Sequence, residues 1–307
     1  MTQDQTPSPL PQPDAFILYS LPLRSDDTPP AWANWEMARG MRDLLERYDI
    51  AGTWLPRFDA IADPEYRDLC LGLGARQEVG LWMEITRSHA AAAGVPYRLE
   101  AGRHWYEAQF CLTLGYAPEE RLRLCDVAMD LFHRTFGRHP RTVAMWMLDS
   151  TSADYLAARY GVRMVGLCRN QYGVDGYTLW GGWPNLPWRP ARRYIWQPAA
   201  EVAEAAPYWV WPLISEDLVV DYGNDRGIWS TEVSIIQQRN LPGETVEDYI
   251  NPLSELCLRR KPVALASYVA ENGWRWDRLR PCYERQLAWL AEREAVNDAA
   301  HTANLLA

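Results

Sequence analysis

Short apolar runs alternate with amphipathic stretches over most of the chain. FILYS (16–20), IAGTWLP (50–56), EVGLWMEI (78–85), TVAMWML (142–148), VRMVGLC (162–168), YWVWPLI (208–214) and VALASYVA (263–270) read as strands. Between them the period changes to that of a helix. NWEMARGMRDLLERY (34–48) places Met37, Met41, Leu44, Leu45 and Tyr48 on one stripe, and PEYRDLCLGLG (64–74) has proline at its start and glycine past its end. GYAPEERLRLCDVAMDLFHRTFG (115–137) is the clearest helix, with Pro118 near its start, Leu122, Cys125, Ala128, Met129 and Phe132 on one face, and Gly137 as its stop. SADYLAARYG (152–161), TVEDYINPLSELCLRR (245–260) and a last stretch through 277–296, which continues past Pro281, complete the set.

Near-continuous apolar strands alternating with helices are the pattern of a parallel sheet covered on both faces. The expected fold class is α/β, a single-domain (β/α)7-type barrel over residues 15–296, between a disordered N-terminal tail (1–14) and a C-terminal tail (297–307). A doubly wound open sheet is the alternative, but no G-x-G-x-x-G follows the first strand.

Composition narrows the function. A net charge of −9 argues against a basic nucleic-acid-binding face. Six scattered cysteines without a CxxC read as buried thiols in a reducing compartment. No signal-peptide pattern and no long apolar span occur, so a cytoplasmic address with no membrane partner is expected. Lys261 is the lone lysine, which reads as the codon bias of a GC-rich bacterial genome. The unusual feature is 16 tryptophans and 16 tyrosines against five phenylalanines. Rings with a polar handle suit a wet surface on which sugar CH faces stack, although each also serves a core.

In a parallel barrel, chemistry sits where strands end. Glu84, Asp149 and Glu271 follow apolar strands directly, and Asp175 lies in the loop after VRMVGLC. Paired carboxylates are what glycosidic cleavage needs, one protonated and one ionised. Each acid also has a structural reading: Asp149 as a helix N-cap, Glu84 in a buried salt bridge to an arginine, Glu271 as a turn residue, Asp175 holding its loop through an Asx-turn. His89 and His104 are the histidines near the expected mouth, and no HxxxH, HExxH, GxSxG or Walker loop occurs.

QEVGLWMEI, GYAPEER, DSTSADYLAARYGV, CRNQYGVDGYTLWGGWPN and the late ENGW together resemble the glycoside hydrolase/deacetylase superfamily, seven-stranded (β/α) barrels that include polysaccharide deacetylases. The resemblance covers most of residues 15–290, and DGYTLWGG is its most specific piece. The superfamily's metal-dependent deacetylases carry an Asp-Asp pair after the first strand and an H-x-x-x-H after the third. Here the first strand runs into YSLPLR, Asp26–Asp27 come too late, and Trp82 stands where the first metal histidine would be.

The expectation is therefore a carbohydrate-active hydrolase that cleaves a glycosidic bond, needs no cofactor, and draws acid, base and nucleophile from Glu84, Asp149 and Glu271. QYGVDGYTLWGGWPN is expected to fold over the mouth as a substrate loop. Trp180 and Trp183 would stack on sugar and Gln171, Asp175, Tyr177 and Asn185 contact it, with Trp82, Asn272 and Trp274 completing the binding set. Two rivals are a deacetylase or amide hydrolase holding a divalent metal with acids plus His89 or His104, and a non-catalytic sugar-binding barrel.

Overall fold

In a computed structural model, the residues described are 15–25, 33–99, 108–168, 185–217, 230–259 and 264–293. The strands are β1 (Ala15–Leu23), β2 (Thr53–Pro56), β3 (Glu78–Val79), β4 (Leu81–Trp82), β5 (Thr142–Ala144), β6 (Met164–Leu167), β7 (Pro190–Ala191), β8 (Tyr194–Pro198), β9 (Trp209–Pro212) and β10 (Ala264–Val269). One parallel sheet runs β10-β1-β2-β3 and another β4-β5-β6-β9. The two are continuous through Gly80. Its N–H bonds Trp54 O at 2.8 Å, and Arg57 bridges Trp82 one step further on. The 78–85 run is thus one strand position split in two, and the array has seven positions.

Among the described residues β9 and β10 share no ladder. Ser215 N donates to Ser267 O and Ser267 N to Ser215 Oγ, both at 3.0 Å, so the seam of the (β/α)7-type barrel is sewn by side-chain-assisted bonds.

Strand alternation divides the core into two layers. Phe16, Leu18, Leu55, Trp82, Ala144, Trp146, Met164, Cys168, Trp211, Leu213, Leu265 and Val269 form one cluster inside the barrel. Their sequence neighbours Ile17, Tyr19, Leu81, Val143, Val165, Val210 and Ala266 pack outward against the helices. Helix α1 (Trp35–Arg47) starts at Asn34, whose Oδ1 accepts from Met37 N, and buries Met37, Ala38, Met41, Leu44 and Leu45. Tyr48, expected on that stripe, is half-buried. The long helix Pro118–Phe136 ends at Gly137 (φ 69°), as its glycine stop requires, and buries Leu124 where Leu122 was expected.

Other departures from the hydrophobic pattern have local causes. The helix expected at 245–260 opens with a π-helical stretch, Val246–Ile250, before Asn251–Leu258. An antiparallel hairpin, β7–β8, is inserted between β6 and β9; its two- and five-residue strands are too short to leave a periodic signal. Short helices Phe58–Ala62 and Arg87–Ala92 follow β2 and β4. The last helix, Trp276–Ala291, tolerates Pro281. All six cysteines are free and buried, and no helix among the described residues is long and apolar enough to cross a membrane.

The join at Gly80 depends on the missing side chain. A Cβ there would lie 2.6 Å from Thr142 O and 2.9 Å from Leu55 Cδ2. Since the first contact is backbone, Gly80→Ala is expected to cost about 1–3 kcal/mol. A urea unfolding midpoint that did not move would show that the join is slack.

Candidate active site

The site is built from the inward-facing parity of the strands. Continuing β1 past Phe16, Leu18 and Ser20 in steps of two reaches Arg24. The same step from Leu55 reaches Arg57, from Trp82 reaches Glu84, and from Val269 reaches Glu271. These four side chains meet. Arg24 Nε and Nη2 donate to Glu84 Oε2 and Oε1 at 2.8 and 2.7 Å, and Arg24 Nη1 donates to Glu271 Oε1 at 2.6 Å. Arg57 Nη1 reaches Glu84 Oε2 at 3.2 Å and holds Asp59 through two bonds of 2.7 Å. Asn272 fixes the main chain of Arg24, accepting from Arg24 N at 2.8 Å and donating to Arg24 O at 2.9 Å.

Every member of this network is buried. Burial alone would raise the Glu84 carboxyl, but Arg24 and then Arg57 outweigh it and hold it below the usual carboxylate range. Burial opposes the charge on Arg24, yet Glu271 and Glu84 hold its guanidinium protonated well above the ordinary arginine value. Glu84 spends both oxygens on arginines. Glu271 spends one, and its Oε2 accepts no hydrogen bond among the described residues.

Glu232, which the hydrophobic pattern did not single out, joins the cluster from the seam. Thr231 N donates to Ser215 O at 2.9 Å, Thr231 Oγ1 donates to Ser267 O at 2.5 Å, and Gln286 Nε2 donates to Thr231 O at 3.1 Å. The next residue, Glu232, is thereby fixed at the seam, buried and near enough to Glu271 for their charges to interact. Its Oε1 accepts from the Ser234 hydroxyl and from Gln238 Nε2, while Oε2 has no hydrogen bond among the described residues. Burial first, and then the charge of Glu271, pushes the Glu232 carboxyl up to about 8. Glu232 therefore keeps a proton at neutral pH and is a proton donor next to Glu271. Trp146 was also missed. Its ring meets Trp82 edge-on at 5.2 Å, and its buried Nε1 donor has no partner among the described residues.

The other expected site residues are placed as follows. Asp149 is the N-cap of the helix Ser150–Tyr160: its Oδ1 accepts from Ser152 N at 3.0 Å, its Oδ2 from Ser152 Oγ at 2.7 Å, and Arg121 lies 2.9 Å away. Burial pushes its carboxyl up, but the Ser152 bonds and Arg121 outweigh it and hold the group below the ordinary value. Its partners are not those of the Arg24 network. Trp82 is buried inside the barrel, with the Arg24 guanidinium 5.9 Å from its ring. Asn185, at φ 50°, exchanges two 2.8 Å bonds with the backbone of Glu216, another buried strand-end acid. Trp274 is half-buried and its carbonyl accepts from Asn34 Nδ2 at 2.8 Å. Gln171, Asp175, Tyr177, Trp180, Trp183 and His104 lie outside the described residues.

His89 is structural. Its Nε2 donates to Leu124 O at 2.9 Å and its ring stacks on Phe58 at 4.7 Å. Burial pushes the imidazole down to about 4, so it is neutral. A divalent metal does not fit the residues present. No three His, Cys, Asp or Glu side chains among the described residues converge on one point, and a guanidinium already stands between Glu84 and Glu271.

Two titrations of opposite sign follow. Glu84 has a depressed folded value, so its contribution to stability is complete above the ordinary carboxylate value of 4.5 and is lost as pH falls through the folded one. Glu84→Gln is expected to lose about 3–5 kcal/mol at neutral pH, with the deficit shrinking in acid. Glu232 has a raised value, so stability falls as pH rises from 4.5 through about 8. Glu232→Gln is expected to match the parent chain near pH 5 and to exceed it near pH 9. Urea unfolding across pH checks both, and a parallel shift at all pH values would contradict them.

No family model and no curated protein sequence matches the chain. Solved structures do. A protein assigned as a glycoside hydrolase/deacetylase from Parabacteroides distasonis superposes with a TM-score of 0.61 at 13% identity, over 92% of this chain and 68% of that one. One assigned as a polysaccharide deacetylase from Mycobacterium smegmatis gives 0.56 at 11% identity, over 98% and 93%. The allantoinase PuuE gives 0.56 at 10% identity, over 97% and 93%. The chain shares the fold of these proteins.

Proposed function

We propose that this chain, on that fold, is a carbohydrate-active hydrolase whose acid–base chemistry is carried by Glu232 and Glu271. The observation behind the proposal is the unequal pair: a buried carboxyl raised to about 8 beside a carboxylate anchored on Arg24, each with one oxygen unbonded among the described residues. A protonated Glu232 donates to the leaving group, and Glu271 takes the proton of the attacking water or attacks directly. Arg24 holds Glu271 through Oε1 and fixes its direction. The Trp146 indole N–H is a donor that a substrate oxygen can use.

The substrate bond has two readings, each with its own support. A proton donor beside an anion is the equipment of glycosidic cleavage. Removal of an acyl group from a sugar is favoured by the names of the structural neighbours, two of which are assigned as deacetylases. In either case the active form has Glu232 protonated. Hydrolysis of aryl-glycosides, followed by the released phenol, and of acetylated sugars, followed by the released acetate, separates the two.

The expected rate falls as pH rises through about 8, and Glu232→Gln lowers kcat by about 10²–10⁴-fold and removes that limb. Full activity in Glu232→Gln, or a profile with no group titrating near 8, would overturn the assignment.

A further inference from the structure

We infer that Arg24 is the resident cation of this site and takes the electrostatic place that a divalent metal holds in metal-dependent barrels of this fold. The disagreement between the fold and the residues present carries the inference, independently of which bond the protein hydrolyses.

Acids delivered by separate strand ends to one point need a positive charge among them, or they must protonate. Three of the five donor hydrogens of the Arg24 guanidinium are spent on two such acids, at 2.6–2.8 Å, and they approach from opposite ends of the fork. Glu84 comes from β4 and Glu271 from β10, so one side chain ties together strands on either side of β1–β2. A second guanidinium, Arg57, also donates to Glu84 Oε2. The main chain behind Arg24 is clamped from both sides by Asn272, and the guanidinium itself is held by its three bonds to Glu84 and Glu271. Arg24 is also 4% exposed, and its head lies 5.9 Å from the Trp82 ring.

A divalent ion entering here would meet carboxylates already paired and two fixed positive charges. Removing the Arg24 side chain has the opposite effect. It leaves Glu271 and the Oε1 of Glu84 facing a vacated volume, with Arg57 still on Glu84 Oε2, a hard oxygen environment suited to Mn²⁺ or Ca²⁺.

The test is metal binding rather than turnover. The full chain, Arg24→Ser and Arg24→Ser/Glu84→Gln are titrated with Mn²⁺, reading the loss of the free-ion paramagnetic resonance signal and the shift in Tm. The expected result is no stoichiometric site in the parent chain, one equivalent bound by Arg24→Ser, and at least tenfold weaker binding in the double variant. If Arg24→Ser is unfolded without metal, the same ion is expected to restore a cooperative melt.

One equivalent of Mn²⁺ on the parent chain, lost in Glu84→Gln or Glu271→Gln, would overturn the inference. So would a folded Arg24→Ser that binds none, or an unfolded one that Mn²⁺ does not rescue. Because the readout is binding, these outcomes leave the hydrolase assignment to be judged by its own pH profile.

Discussion

A guanidinium held away from water must be neutralised by groups that reach it, and at the mouth of this barrel those groups come from different strands. Arg24 extends the inward face of β1, and the acids that meet it extend the inward faces of β4 and β10. The ion network is therefore a joint between strand ends as well as a charge arrangement. Breaking one partner would leave the others buried and unpaired, which costs more than the loss of a single bond. Asn272 adds a main-chain clamp between the same two strand ends, β1 and β10.

That joint also decides which acids are available for chemistry. Glu84 is saturated by two arginines and kept ionised, so its role is to hold charge in place. Glu271 gives one oxygen to Arg24 and keeps the other. Glu232 comes from the seam, where Thr231 bonds the main chains of Ser215 and Ser267, and its proton is retained first because it is buried and then because Glu271 is close by. The difference among the acids thus arises from placement: Glu84 and Glu271 reach the guanidinium of Arg24, and Glu232, buried without such a partner among the described residues, keeps its proton.

The hydrophobic pattern carried most of the fold. Seven apolar runs became seven strand positions, because inward and outward residues are both buried and leave a run that is apolar throughout. The start of the first helix at Asn34 and the stop of the long one at Gly137 were readable because caps are local chemistry. Elements that rest on tertiary contact were not readable. The β7–β8 hairpin is anchored by Ile195 N to Ser150 Oγ, 45 residues away in sequence, and the seam runs through serines and a threonine that show no period.

For the site, the chain by itself determined that acids stand after strands, since an acid directly following an apolar run is visible in one dimension. What each acid does was decided in three. Glu84 and Asp149 look alike in sequence, yet one closes on two arginines inside the barrel and the other caps a helix. Glu232 follows no apolar run at all; its position comes from the bonds its neighbour Thr231 makes to residues 16 and 36 positions away. Arg24 could be read as the ordinary end of a strand until the partners 60 and 247 residues further on were in place. A charge is a property of a residue, but its neutralisation is a property of distance, and distance between strand ends exists only after the sheet has curled to bring them together.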